Sequence, residues 1–255
     1  MEKIIIQNRK GLKMAVAVDE IKNQKGLVFL MHGHLGFKEH PLLTETAKIF
    51  KEYNFTIVLF DATNSLGESE GKMEGGTITS YYEDLEDIIN WSKLQSFYQK
   101  SFFLSGHSLG GYCVANYAVN NNLKGVILFC PLVSGKLYQE TNNIKDILED
   151  WKASGVRVWE SHSSPGIIKK AGYDFIKDGE KHDLLKTADK IKCPVLIIGG
   201  DKDDVIPIEH QKMLFDKIKS KKEFHIIKDG DHNLSDKENS TEFHDIINRW
   251  IIANY

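Results

Sequence analysis

The sequence predicts an α/β domain in which a parallel sheet carries helices on both faces. Short β-branched or aromatic runs alternate along the chain with segments of helical period. Alternation of that kind places parallel strands side by side with their crossover helices covering the sheet. The length of 255 residues suits one large domain, or a domain with an insertion. A chain of this size buries roughly 70–75% of its unfolded surface, so its stability requires no disulfide or metal.

Eight runs have strand character: 4–7, 14–18, 27–31, 56–60, 101–104, 125–129, 195–198 and 224–227. Helical period marks 41–53, 81–94, 109–120, 208–219 and 241–252. Pro41 suits the first turn of its helix, where a missing N–H leaves nothing unpaired. The last helix places Phe243, Ile246, Ile247, Trp250 and Ile251 at three-four spacing on one apolar face. In such sheets ligands bind at the carboxyl ends of the strands.

The rhythm breaks between Pro131 and Lys192, which is charged and carries scattered aromatics: Tyr138, Trp151, Trp159, Tyr173 and Phe175. A stretch this long is expected to fold on its own rather than remain a bare loop. It reads as a lid over the active site, dividing the chain into a core of 1–131 and 192–255 and an insertion of 132–191.

Composition excludes several classes. The net charge is −3 with acids and bases interspersed, which offers no basic face to nucleic acid. No apolar run approaches the roughly 18 residues that cross a bilayer, so no membrane partner is expected. The first residues hold three consecutive apolar positions, Ile4 to Ile6, too few for a signal-peptide core. Cys113, Cys130 and Cys193 are odd in number and lack metal-ligand spacing. They read as buried free thiols of a reducing compartment, so the expected location is cytoplasmic, with no metal and no cofactor.

The chemistry concentrates in Gly106-His107-Ser108-Leu109-Gly110, between a β run and a helical run. A Gly-x-Ser-x-Gly in that setting marks a strained turn that lifts a serine hydroxyl above the sheet edge. A serine is a poor nucleophile until a base takes its proton, and the base needs a third group to fix its tautomer. Two later post-strand loops offer these partners. One holds Asp201, Asp203 and Asp204; the other ends in Asp231-His232. Gly67-x-Ser69-x-Gly71 repeats the bare pattern, but the flexible Lys72-Met73-Glu74-Gly75-Gly76 follows it instead of an apolar helix, so Ser69 reads as a loop residue.

These segments, together with His32-Gly33, fall in the order of an α/β-hydrolase, and the chain resembles that superfamily over nearly its whole length. The resemblance implies a mostly parallel eight-stranded sheet with a short lid insertion. It implies Ser108 as nucleophile, Asp203 as the acid and His232 as the base. It also implies an oxyanion hole formed by the backbone N–H groups of Leu109 and His34. A histidine at position 34 departs from the apolar residue or glycine usual there, and its side chain could contact the acyl group or point to solvent. His32 reads as a buttress of its loop.

Within the superfamily the chain is similar to small bacterial cinnamoyl (feruloyl) esterases and their serine-aminopeptidase-like relatives. The His-Gly-x-x-Gly loop, the short insertion and Asp231-His232-Asn233-Leu234-Ser235-Asp236 carry that similarity, with Leu234 in place of the usual aromatic. It implies a serine carboxylesterase acting on a small-molecule ester. Tyr138, Trp151 and Trp159 are then either substrate contacts or the insertion's own core. The competing readings are a thioesterase or aminopeptidase using the same triad, and a receptor that keeps the triad without turnover.

Overall fold

Five strands are buried along their whole length, and four of them, the one with Ser105 and His107 excepted, are therefore apolar at nearly every position. The computed structural model describes residues 1–161, 166–238 and 240–255. Its strands are β1 (Glu2–Gln7), β2 (Lys13–Asp19), β3 (Gly26–Met31), β4 (Phe55–Phe60), β5 (Phe103–His107), β6 (Gly125–Phe129), β7 (Val156–Glu160), β8 (Ile168–Gly172), β9 (Val195–Gly200) and β10 (Lys222–Ile227). The helices are α1 (Pro41–Glu52), α2 (Ile78–Ser92), α3 (Leu109–Asn120), α4 (Gly135–Gln139), α5 (Asn142–Lys145), α6 (Leu148–Ser154), α7 (Asp174–Gly179), α8 (Ile208–Lys217) and α9 (Thr241–Asn254).

Eight strands form one sheet in the order β1-β2-β4-β3-β5-β6-β9-β10. β2 pairs antiparallel with both β1 and β4, and the remaining pairs are parallel. This is the α/β-hydrolase arrangement expected from the sequence.

Side chains alternate across the sheet, so each central strand feeds two cores. Leu27, Phe29 and Met31 of β3 join the layer containing Tyr81 and Leu85 of α2 and Tyr112 of α3. Val28 and Leu30 join the opposite layer, with Leu42 of α1 and Phe243 and Trp250 of α9. Trp250 meets the Phe103 ring edge-on at 5.4 Å, which ties the last helix to the strand that delivers Ser108.

Two boundaries move for physical reasons. β5 runs three residues past the expected end, into Gly106 and His107, because those residues still pair with Leu128 and Phe129 of β6. α2 starts at Ile78, where Thr77 and Ser80 form a reciprocal capping box. Serine replaces the usual Glu or Gln at the third helical position, so the sequence carried a weaker start signal.

The described residues of 131–192 include α4 to α7 and an antiparallel pair, β7 and β8, that pairs with neither edge of the large sheet. This pair was not expected from the sequence. Among the described residues no helix is long and apolar enough to cross a membrane.

Candidate active site

Ser108 occupies a left-handed backbone position, φ 53° and ψ −116°, between the end of β5 and the start of α3. Its N–H donates to the Phe129 carbonyl at 2.9 Å, and its own carbonyl accepts from Leu132 at 3.0 Å, so neighbouring backbone holds the turn. A Cβ at Gly106 would fall 2.4 Å from the Gly110 carbonyl, and one at Gly110 would fall 2.5 Å from the carbonyls of Met31 and His32. Only hydrogen fits at either place, which explains the spacing of the motif.

The loops after β9 and β10 bring Asp203 and His232 to this turn. His232 Nε2 lies 2.9 Å from Ser108 Oγ, and His232 Nδ1 lies 3.0 and 2.9 Å from the two carboxylate oxygens of Asp203. Asp203 is buried. Its Oδ1 accepts from the N–H groups of Val205 at 3.0 Å and Ile206 at 2.8 Å, and Gln211 Nε2 donates to Oδ2 at 3.4 Å. Asp201 is exposed, and Asp204 accepts from Asn143 of α5. Asp231 shapes the next loop, its Oδ1 accepting from the N–H groups of Asn233 and Ser235. Leu234 is fully buried in the lower core, where an aromatic would stand in related sequences.

The loop after β3 lies against the elbow. A Cβ at Gly33 would sit 3.0 Å from the Ser108 Cβ. Leu35 N–H donates to the Tyr81 hydroxyl at 3.1 Å and Gly36 N–H to the Gly33 carbonyl at 3.0 Å. Among the described residues the His34 N–H then has no protein acceptor. Leu109 is the first residue of α3, where a helix leaves its N–H groups unpaired. The His34 ring stacks on Phe175 of α7, 4.0 Å between centroids and 9° between planes. The side chain is therefore engaged with the insertion instead of pointing into solvent.

Other histidines serve the scaffold. His32 Nδ1–H donates to the Gly33 carbonyl at 2.7 Å while its Nε2 accepts from Ala62 N–H at 2.9 Å, a pairing that fixes the neutral tautomer. His107 Nε2–H donates to the backbone carbonyl of His232 at 2.8 Å, and its ring stacks on His40 at 5.4 Å. Sequence reasoning missed this clamp on His232. It also missed Lys38, fully buried, whose Nζ donates to Asp61 at 2.8 Å and Glu68 at 2.7 Å and so joins the loops after β3 and β4. Burial pulls this ammonium down, but its bonds to Asp61, Glu68 and Glu39 outweigh that and hold it above its ordinary value. Ser69 lies in the same loop, donating to the Asp61 carbonyl and accepting from Ala15 N–H.

Burial, reinforced by positive charge on Lys169, lowers His34 to about 3. Burial, reinforced by the positive charge of Lys169, lowers His40 to about 4. Burial above all lowers His107 well below its ordinary value. These rings stay uncharged at neutral pH. In the unfolded chain each binds a proton near pH 6.5. Their contribution to stability is therefore complete above that pH and is lost as pH falls from about 6.5 toward 4. The thermal midpoint is expected to drop over that window, and His40→Gln to make the drop shallower. Equal slopes for the two proteins would contradict this account.

The site opens into a cavity of about 200 Å³, lined by Ser108 and His232 and also by Tyr138, Trp151 and Trp159. Trp151 is buried and donates Nε1–H to the Ala171 carbonyl at 2.9 Å, so it both packs the insertion and faces the cavity. Cys130, Asp203 and His232 bring potential ligand atoms within 4.8 Å of one another. This set does not suit a cation. Both His232 nitrogens already have partners, and burial and the Asp203 charge push the Cys130 thiol well above its ordinary value.

Comparison with known proteins agrees with this architecture. A family model described as serine aminopeptidase, S33, matches residues 22–168 and 164–239. The mitochondrial palmitoyl-protein thioesterase ABHD10 of Homo sapiens is 24% identical over 225 residues, spanning 87% of this chain and 72% of that protein. Est1E from Butyrivibrio proteoclasticus, solved with ferulic acid bound, superposes with a TM-score of 0.81 at 18% identity, covering 98% of each chain. Mouse ABHD10 superposes with a TM-score of 0.80 at 20% identity over 99% of each chain. A serine elbow on this sheet, matched by the family model over most of the sequence, makes the chain a member of the serine aminopeptidase S33 family of α/β-hydrolases.

Proposed function

We propose that this hydrolase is a serine carboxylesterase working through Ser108, His232 and Asp203. The observation that carries the reading is the unbroken line Ser108 Oγ, His232 Nε2, His232 Nδ1, Asp203 carboxylate, each link 3.0 Å or shorter. His232 takes the Ser108 proton as Oγ attacks the ester carbonyl. Asp203 holds Nδ1–H toward itself, so that Nε2 is the acceptor, and stabilises the imidazolium that forms. The N–H groups of Leu109 and His34 receive the charge that develops on the carbonyl oxygen. His232 then protonates the departing alcohol, and water attacks the acyl-serine by the same route in reverse.

Residues 132–191 act as a lid in this reading, with Tyr138, Trp151 and Trp159 presenting an aromatic wall to the acyl group. The three free cysteines are all buried, which supports the reducing, cytoplasmic setting expected from their number. A thioester is the second reading, supported by the identity to the human thioesterase across most of the chain. An aminopeptidase has to hold a substrate ammonium. Among the described residues no carboxylate lines the cavity, which weighs against that use of the fold.

A fluorophosphonate probe is expected to label Ser108, identified by peptide mapping, and p-nitrophenyl acetate to be hydrolysed. No label and no turnover would refute the reading. Comparing turnover of matched ester, thioester and aminoacyl-amide substrates separates the acyl classes.

A further inference from the structure

The β7–β8 pair has one face toward the cavity. Register pairs Arg157 with Ala171 and Trp159 with Lys169, and alternation sends these four side chains to the same side. All four line the cavity with Ser108, while Val158 and Ile168 of the other face are exposed. The arrangement inverts the common pattern, because two cations point inward and the aliphatic residues point out.

Among the described residues no carboxylate forms an ion pair with Arg157 or Lys169, and no Asp or Glu is part of the cavity wall. Elsewhere in this net-acidic chain lysines find partners readily, as Lys38, Lys48 and Lys51 do. Arg157 is instead held by the aromatic wall, its guanidinium 4.7 Å from the Trp159 ring centroid and 5.9 Å from that of Trp151. That contact orients the guanidinium, and among the described residues its N–H donors have no acceptor. Lys169 is half-buried, and burial lowers it from its ordinary value. Lys169 shares the cavity wall with His34, His40, His107 and Ser108. A desolvated, unpaired cation costs stability, so a complementary anion would be bound with gain.

We propose that Arg157 and Lys169 form an anion subsite, so that the preferred substrates carry a carboxylate or phosphate in addition to the scissile acyl bond. The inference rests on the hydrolase reading above and narrows its substrate class. The group is held by this strand pair while the carbonyl sits at Ser108. It can belong to the acyl part or to the leaving group.

Two matched pairs of substrates separate these sources. p-Nitrophenyl hydrogen glutarate is compared with the p-nitrophenyl ester of methyl glutarate, and S-acetyl phosphopantetheine with S-acetyl pantetheine. In at least one pair the charged member is expected to have a kcat/KM ten-fold or more above its neutral twin. Lys169→Met and Arg157→Gln are each expected to reduce that ratio toward one, and Lys169→Glu to invert it. The ratio is taken within each variant, so a general loss of activity cancels. Ratios near one in both pairs for the unaltered protein, or ratios the variants leave untouched, would overturn the proposal.

Should no substrate be turned over, the hydrolase reading fails and the subsite is judged by binding. Monomethyl glutarate is then expected to raise the thermal midpoint of the unaltered protein but not of Lys169→Met, with dimethyl glutarate without effect. Equal shifts for the two compounds, or none, would refute the subsite.

Discussion

Ser108→Ala is expected to lower kcat for p-nitrophenyl acetate by about 10³–10⁶-fold while the protein stays folded. The elbow does not depend on the hydroxyl. Its backbone N–H and carbonyl are tied to Phe129, Leu132 and Tyr112, and those bonds survive the change. Alanine meets the same left-handed strain at φ 53° that serine already bears. What disappears is the atom 2.9 Å from His232 Nε2. Steady-state kinetics with far-UV circular dichroism and a thermal melt check both halves of the expectation. Turnover within ten-fold of the unaltered protein would place the nucleophile elsewhere.

Asp203→Asn is expected to cost about 10³–10⁴-fold in kcat by a different route. Oδ1 accepts from the N–H groups of Val205 and Ile206, so that position must remain an oxygen in the variant. The amide NH₂ then occupies the place of Oδ2 and faces His232 Nδ1. Two donors cannot share that contact, and the imidazole shifts its proton to Nε2. Ser108 would then face an N–H that cannot accept its proton. Because the Oδ1 bonds persist, the thermal midpoint is expected to fall by only a few degrees. A loss of less than ten-fold in kcat would show that His232 keeps its tautomer without Asp203.

Much of this was legible in the sequence, and for specific reasons. Strands buried on both faces are almost wholly apolar, with Thr56 of β4 the exception, so β3, β4, β6 and β9 could be found from composition alone. Ser108, Asp203 and His232 each lie in a loop that follows a strand, and glycines spaced by backbone contact mark the first of them. The β7–β8 pair was missed because its polarity is reversed: Arg157, Trp159 and Lys169 face a cavity, and Val158 and Ile168 face solvent. Patterning assumes that charge points outward, and here a cavity wall breaks the assumption. The His107 clamp joins residues 125 apart in sequence, and the Lys38 and Asp61 pair joins loops 23 apart. Neither has a local signature, since burial alone decides which polar side chains meet.

The β7–β8 ribbon completes its ladder with itself and borrows no edge of the large sheet. Four side chains on the inner face of that ribbon can therefore drift, reverse charge or be exchanged wholesale while the elbow keeps its geometry. On the proposed roles the reaction and the choice of reactant are inherited as separate parts, and new specificities can arise at little risk to the bond-breaking machinery.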